Sequence, residues 1–166
     1  MLEKFGKIAQ ALLLGTALMT GATSVSTAQG VPEGVTAYEI EGAFDDIRFD
    51  LENAIVNRGL VIDYVSHIGD MLARTGEDVG GKKEIFSNAQ AMLFCSANLS
   101  RKAMEADAAN IAYCPYTVFV YETPETAGKV TVGFRQLSPT GSEESRAAIA
   151  DVNALLDEIA REASGQ

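Results

Sequence analysis

Three side chains in this 166-residue chain are of types that commonly carry nucleophilic, redox or soft-metal chemistry: Cys95, Cys114 and the single histidine, His67. Four readings of the cysteine pair stand open. A disulfide fits an even cysteine count in an oxidising compartment, and closing a loop of this size adds about 3 kcal/mol of stability on the chain-entropy argument. Two reduced thiols could instead pack as small apolar side chains. A soft metal such as copper(I) would draw on Met92, Met104 and His67 as further ligands, but cysteines nineteen positions apart do not have metal-site spacing. A thiol carrying sulfur or redox equivalents needs an exposed, acidified cysteine, and neither cysteine is flanked by Lys or Arg. Cys95, Cys114, His67 and Tyr116 are therefore the candidate ligand-binding or redox residues. No catalytic residue and no metal ligand is assigned, and no cofactor is implied.

His67 ends a predicted strand and reads as a structural hydrogen-bonding residue, with Asp63 expected on the same strand face to orient it. A triad also needs a nucleophile, and there is no Gly-x-Ser-x-Gly elbow. The glycine-rich stretch Gly76–Gly81 lacks the Gly-Lys-Ser/Thr end of a phosphate loop. Cys-x-x-Cys and Cys-x-x-Cys-His are absent. Asp45–Asp46 is read as a helix start, where the macrodipole favours negative charge.

The elements that must position these residues follow from periodicity. Val35–Glu41 reads as an edge strand. Phe44, Ile47, Leu51, Ala54 and Ile55 recur at helical spacing, giving a helix over 44–58 that Gly59 stops. Leu60–Ile68 is β-branched and apolar and reads as a strand buried on both faces, with Leu60, Ile62 and Tyr64 on one side and Val61 and Val65 on the other. A short helical turn, Asp70–Arg74, follows. Ala89–Cys95 fits helix or core strand, and Asn98–Asp107 a short helix. Tyr116–Glu122 and Lys129–Gln136 are strands joined by a hairpin loop over 123–128. Ser142 caps a last helix with Ile149, Val152, Leu156 and Ile159 inward. Late adjacent strands and interspersed helices predict an α+β fold: a mostly antiparallel sheet with helices packed on it. Tyr38, Tyr64, Tyr113, Tyr116, Phe119, Tyr121 and Phe134 lie on or beside the predicted strands. Any that share an exposed face would form a ligand or dimer surface.

The first 28 residues have their own pattern. Lys4 and Lys7 precede an uncharged stretch from Ile8 to Val25, and Ser26-Thr27-Ala28 offers the small residues of a cleavage site before Gln29. The core is too short and too diluted by Thr, Gly and Ser for a spanning helix. The expected organisation is a signal peptide over 1–28, a linker over 29–34, one α+β domain over 35–163 and a tail over 164–166, with the mature protein periplasmic and free of the membrane. The chain has 13 Lys+Arg and 23 Asp+Glu; Lys4, Lys7 and Glu3 leave with the leader, so the mature net charge is −11. That acidity argues against nucleic acid and anionic lipid as partners.

Several marks in order resemble a known family. Gly42-Ala43-Phe44-Asp45-Asp46 opens the first helix, Ala54-Ile55 precedes Gly59-Leu60-Val61, Phe94-Cys95 forms a pair, and Pro115 leads into Val118-Phe119-Val120-Tyr121-Glu122. From Tyr38 to about Arg135 the chain resembles the family known as domain of unknown function 302. The resemblance implies an α+β fold of the TATA-binding-protein-like sheet class, often dimeric, and no reaction. In the family pattern a cysteine commonly follows the proline; here Tyr116 stands there and Cys114 precedes Pro115. On a regular strand the two positions share a face. The sequence thus points to an exported binding or accessory protein for an unidentified small molecule or periplasmic protein, with a link to a redox or sulfur-handling system suggested by compartment and cysteines. The alternatives are a small thiol- or His67-dependent enzyme and a structural homodimer.

Overall fold

The computed structural model describes residues 26–27 and 30–166. Six antiparallel strands form one sheet: β1 (Ser26–Thr27), β2 (Val35–Glu41), β3 (Val61–Ser66), β4 (Asn88–Cys95), β5 (Tyr116–Glu122) and β6 (Lys129–Arg135), in the spatial order β1-β2-β6-β5-β4-β3. The helices are α1 (Phe44–Val56), α2 (Ile68–Thr75), α3 (Ala97–Ala106) and α4 (Glu143–Ala163). The chain is thus an α+β antiparallel sheet with helices packed on it, as its patterning predicts. The expected leader falls largely on residues that are not described.

Strand alternation divides the sheet into two faces. Thr36, Tyr38, Ile40, Met92, Phe94, Tyr116, Val118, Val120, Val130, Val132 and Phe134 share one face, and all but Thr36 belong to the core against α1 and α4 or pack on it. Leu51, Ala54 and Ile55 of α1 and Val152, Leu156 and Ile159 of α4 are fully buried there. Burying such side chains is the main favourable term in folding. Ser142 caps α4 by accepting the Ser145 N–H at 3.1 Å, and Ser96 caps α3 by accepting the Leu99 N–H at 3.4 Å. Asn153 of α4 holds the chain leaving β6: its Oδ1 accepts from Leu137 N and its Nδ2 donates to Leu137 O, both at 2.8 Å. Asn110 Nδ2 donates to Ala103 O and Ser145 Oγ, joining the turn after α3 to α4 through buried polar groups.

β3 departs from its reading as a doubly buried strand. It is the outermost strand, and Val61 and Tyr64 are 72% and 62% exposed. The register shifts between Ile62 and Tyr64. The extra residue, Asp63, inverts the alternation, so that Ile62 and Val65 face the core and Val61 and Tyr64 do not. An apolar run looks alike in the middle of a sheet and at its edge, and a single inserted residue leaves no periodic trace. The turn at Asp70–Arg74 extends into the two-turn helix α2, which starts at Ile68 because β3 ends at Ser66.

Candidate functional site

The candidate residues lie in two separate places. Cys95 and Cys114 are joined in a disulfide with a Cα–Cα distance of 6.1 Å. Cys95 is the last residue of β4, directly before the α3 cap, and Cys114 ends the short 3-10 helix Ala108–Tyr113 that leads into β5. The bond therefore ties the two ends of the β4–α3–β5 crossover. Ser100 of α3 approaches both sides of this corner, with Oγ 3.8 Å from Cys114 Sγ and 2.8 Å from the Tyr116 hydroxyl. Both cysteines are half-buried. Beside them two apolar side chains stand in solvent: Val61, which pairs with Cys95, and Ile111, whose carbonyl accepts the Cys114 N–H.

Tyr116 and Cys114 do not share a strand face. β5 begins at Tyr116, and Cys114 precedes it across a cis peptide bond to Pro115. Tyr116 is a core residue, 2% exposed, and its ring meets Phe94 edge-on at 6.1 Å. Burial pushes its hydroxyl pKa up, partly offset by the Ser100 hydrogen bond.

His67 stands at the other end of β3, about 20 Å along the strand from the Cys95–Val61 pair at 3.3 Å per residue. Its side chain is exposed and its Nδ1 lies 3.8 Å from Asp70 Oδ2. Asp63 is the bulge residue, not a same-face partner oriented toward His67. The fold does not assemble cysteine, histidine and carboxylate into one reaction centre. A shallow cavity of about 380 Å³ between the ends of α1 and α4 is lined by Arg58, Glu158, Arg161, Glu162, Gly165 and Gln166. Its arginines are already engaged, Arg58 with Glu162 and Arg161 with Asp157.

The feature that sequence reasoning reached only in outline is the sheet face away from α1 and α4. Ala37, Ala89, Ala91, Thr131 and Gly133 make its floor, and Leu93, Phe119 and Tyr121 stand among them. Phe119 lies across Gly133: a Cβ on that glycine would come within 2.7 Å of Phe119 Cζ and 2.9 Å of Ala37 Cβ. Tyr121 continues the row, its ring 6.0 Å from Phe119 at 27° and 5.4 Å from Phe86 at 62°. Three adjacent aromatic rings, all half-buried, thus rest on a floor of small side chains. The visible signal was the alternation in Tyr-Thr-Val-Phe-Val-Tyr-Glu; the single glycine in Lys129–Arg135 was the less obvious one.

The profile of the domain of unknown function DUF302 matches residues 36–163. The chain belongs to the DUF302 family. Among solved structures it is similar to that of an uncharacterised conserved DUF302 protein from Bacillus stearothermophilus, with a TM-score of 0.64 at 12% identity, over 80% of this chain and 99% of that one. At that identity the likeness concerns the fold. No curated protein matches the chain. Membership in DUF302 brings no reaction with it.

Proposed function

We propose that this DUF302 protein is an exported, periplasmic binding or accessory protein that takes an apolar, flat ligand on the face of its sheet away from α1 and α4. The observation that carries the reading is the row Phe86–Tyr121–Phe119 over Ala37, Ala91 and Gly133. Aromatic rings on a floor of small residues offer area for stacking with little conformational entropy to lose. Export is supported by the charge, apolar core and small-residue exit of residues 1–28.

The test is a titration with the neutral dye Nile red. Binding that weakens at least tenfold in Tyr121→Ala and Phe119→Ala, and is unchanged in Phe49→Ala, supports the reading. Phe49 is a suitable control because it is exposed on α1, on the other side of the sheet. Equal binding by all three variants would sink it.

A second reading, assistance to a redox or sulfur-handling system, draws on the half-buried disulfide with exposed Val61 and Ile111 beside it, an apolar rim on which a thiol-bearing partner could seat. Equilibration against a graded mixture of reduced and oxidised glutathione tests it. A disulfide that exchanges within minutes in the folded protein supports the reading, and one that opens only on unfolding removes it.

A further inference from the structure

The two sulfurs of the disulfide stand in different surroundings. Cys95 ends β4 between two neighbours: Val61 of the edge strand β3, with which it pairs, and, on the other side, the entry to β5, which Cys114 precedes. The β3 side is open. Val61 is exposed, and so is Tyr64, the next side chain of β3 on the same sheet face. The Cys114 side is backed by two buried hydroxyls, with Ser100 Oγ 3.8 Å from Cys114 Sγ and 2.8 Å from the Tyr116 hydroxyl. Ser96, beside Cys95, is already engaged as the cap of α3.

A disulfide opens when a thiolate attacks one sulfur and the other departs as a thiolate, and the more acidic thiol leaves faster. A hydrogen bond donated to the charged form favours that form. The phenol of Tyr116 is the more acidic of the two hydroxyls, so it donates to Ser100 and leaves the Ser100 proton for Cys114. Burial raises the Tyr116 pKa, so the phenol keeps its proton where thiols titrate. Cations do not supply the acidity. Arg101 of α3 pairs with Glu105, and Lys102 pairs with Asp151 of α4. The other charged groups of the adjoining segments, Asp63 on the β3 bulge and Asp107 ahead of the 3-10 helix, are acidic and disfavour a thiolate.

We propose that this corner exchanges with a dithiol protein in a fixed sense: the partner's thiolate attacks Cys95 across the Val61 rim, and Cys114 departs as a thiolate held by the Ser100–Tyr116 relay. This deepens the redox reading above and rests on it. Displacement at sulfur runs along the line of the bond that breaks, and Val61 lies on the side of Cys95 opposite Cys114. The partner's sulfur bonds to Cys95 Sγ, and the electron pair of the broken bond stays on Cys114 Sγ. The partner's second thiolate then attacks the partner sulfur of the mixed disulfide and frees Cys95 as a thiolate. The partner dithiol loses two electrons and becomes a disulfide. Cys95 and Cys114 gain them and take up the two protons that the partner thiols released to water. Val61 and Tyr64 give the partner an apolar seat beside the attacked sulfur.

The experiment uses the intact, oxidised chain with glutathione as the probe thiol. A short exposure is quenched with acid and N-ethylmaleimide, and the modified peptides are identified by mass. The expected result is glutathione on Cys95 and maleimide on Cys114. Ser100→Ala should slow opening about threefold, and Tyr116→Phe by less, with circular dichroism unchanged. In Cys95→Ser, the Cys114 thiolate is followed by ultraviolet absorbance against pH. Adding Ser100→Ala should raise its midpoint by about one unit, a change that lost packing alone does not produce. If Cys95→Ser does not fold, the rates of the disulfide-bonded variants decide. Glutathione on Cys114 or on both sulfurs, or rates and titration indifferent to Ser100→Ala, overturns this assignment and leaves the redox reading standing. A disulfide that glutathione cannot open in the folded chain removes both.

Discussion

The hydroxyl of Tyr38 donates to Asp157 Oδ1 at 2.5 Å, joining β2 to α4 across 119 residues of sequence. Arg161, one turn further along α4, donates from Nε to Asp157 Oδ2 at 2.8 Å and lies over the Tyr38 ring at 5.0 Å. The ring is 3% exposed, so its phenol has little water to fall back on. A hydrogen bond to a charged acceptor contributes about 1.5–3 kcal/mol. Tyr38→Phe should lower unfolding stability by that amount in urea titration, with no change in far-ultraviolet circular dichroism. A double-mutant cycle with Asp157→Asn should show coupling of the two losses.

The same pair sets a pH dependence at both ends. Burial, then the hydrogen bond to Asp157 and its negative charge, push the Tyr38 pKa up from 10.0 to about 12. A group that holds its proton more tightly when folded gives stability that is complete below pH 10 and is lost as pH rises toward 12. Asp157 behaves oppositely. Burial raises its pKa, but the Tyr38 and Arg161 hydrogen bonds and the arginine charge outweigh that and leave it below 3.8. Its contribution is present above pH 3.8 and disappears as pH falls through the lower folded value. Spectrophotometric titration should show a late tyrosine step near pH 12 that Tyr38→Phe removes, and Asp157→Asn should flatten the acid limb of the stability curve.

Gly133 offers a sharper test of the open face. A Cβ there would collide with the Thr36 carbonyl oxygen as well as with Phe119 and Ala37. The ring could turn away, but the carbonyl belongs to the β2–β6 ladder and cannot. Overpacking typically costs about 1–3 kcal/mol, and Gly133→Ala should lie at the upper end by thermal melting. Pairing it with Phe119→Ala should recover only part of the loss, because the backbone clash remains.

These residues show what the sequence could reveal. The strands at 35–41 and 116–122 and the inward stripe of α4 were legible because burial on one face imposes a period that composition records. The ambiguous 89–95 segment became a strand because Met92 and Phe94 pack into the core from one side while alanines suit the other. Alanine favours helix only when no such neighbours compete. The bulge at Asp63 and the edge position of β3 were not legible, since both depend on which strand lies alongside. Separation of His67 from the cysteines follows from the direction of β3, which only topology supplies. The disulfide was one of several open readings, and proximity of the ends of β4 and β5 is what distinguishes it.

The disulfide leads to a last prediction, one that concerns a single region. Ser100 and Ala103 of α3 are buried and Leu99 packs on the core, a smaller anchor than the buried stripe of α4. The α3 helix is held at its start by Cys95 and through the following turn by Asn110, whose amide reaches Ala103 O at 2.8 Å and Ser145 Oγ at 2.9 Å. The bond closes a sequence separation of 19 residues, worth about 3 kcal/mol in chain entropy. Alkylation of the denatured protein without reductant should add no mass, and with reductant should add two groups. Cys95→Ala with Cys114→Ala should lower global stability by about 3 kcal/mol. It should also speed amide exchange across residues 97–113 more than across α4, whose buried stripe from Ile149 to Ile159 does not depend on the bond. If exchange rises equally in both segments, the bond acts only through the unfolded chain and does not hold α3 in place.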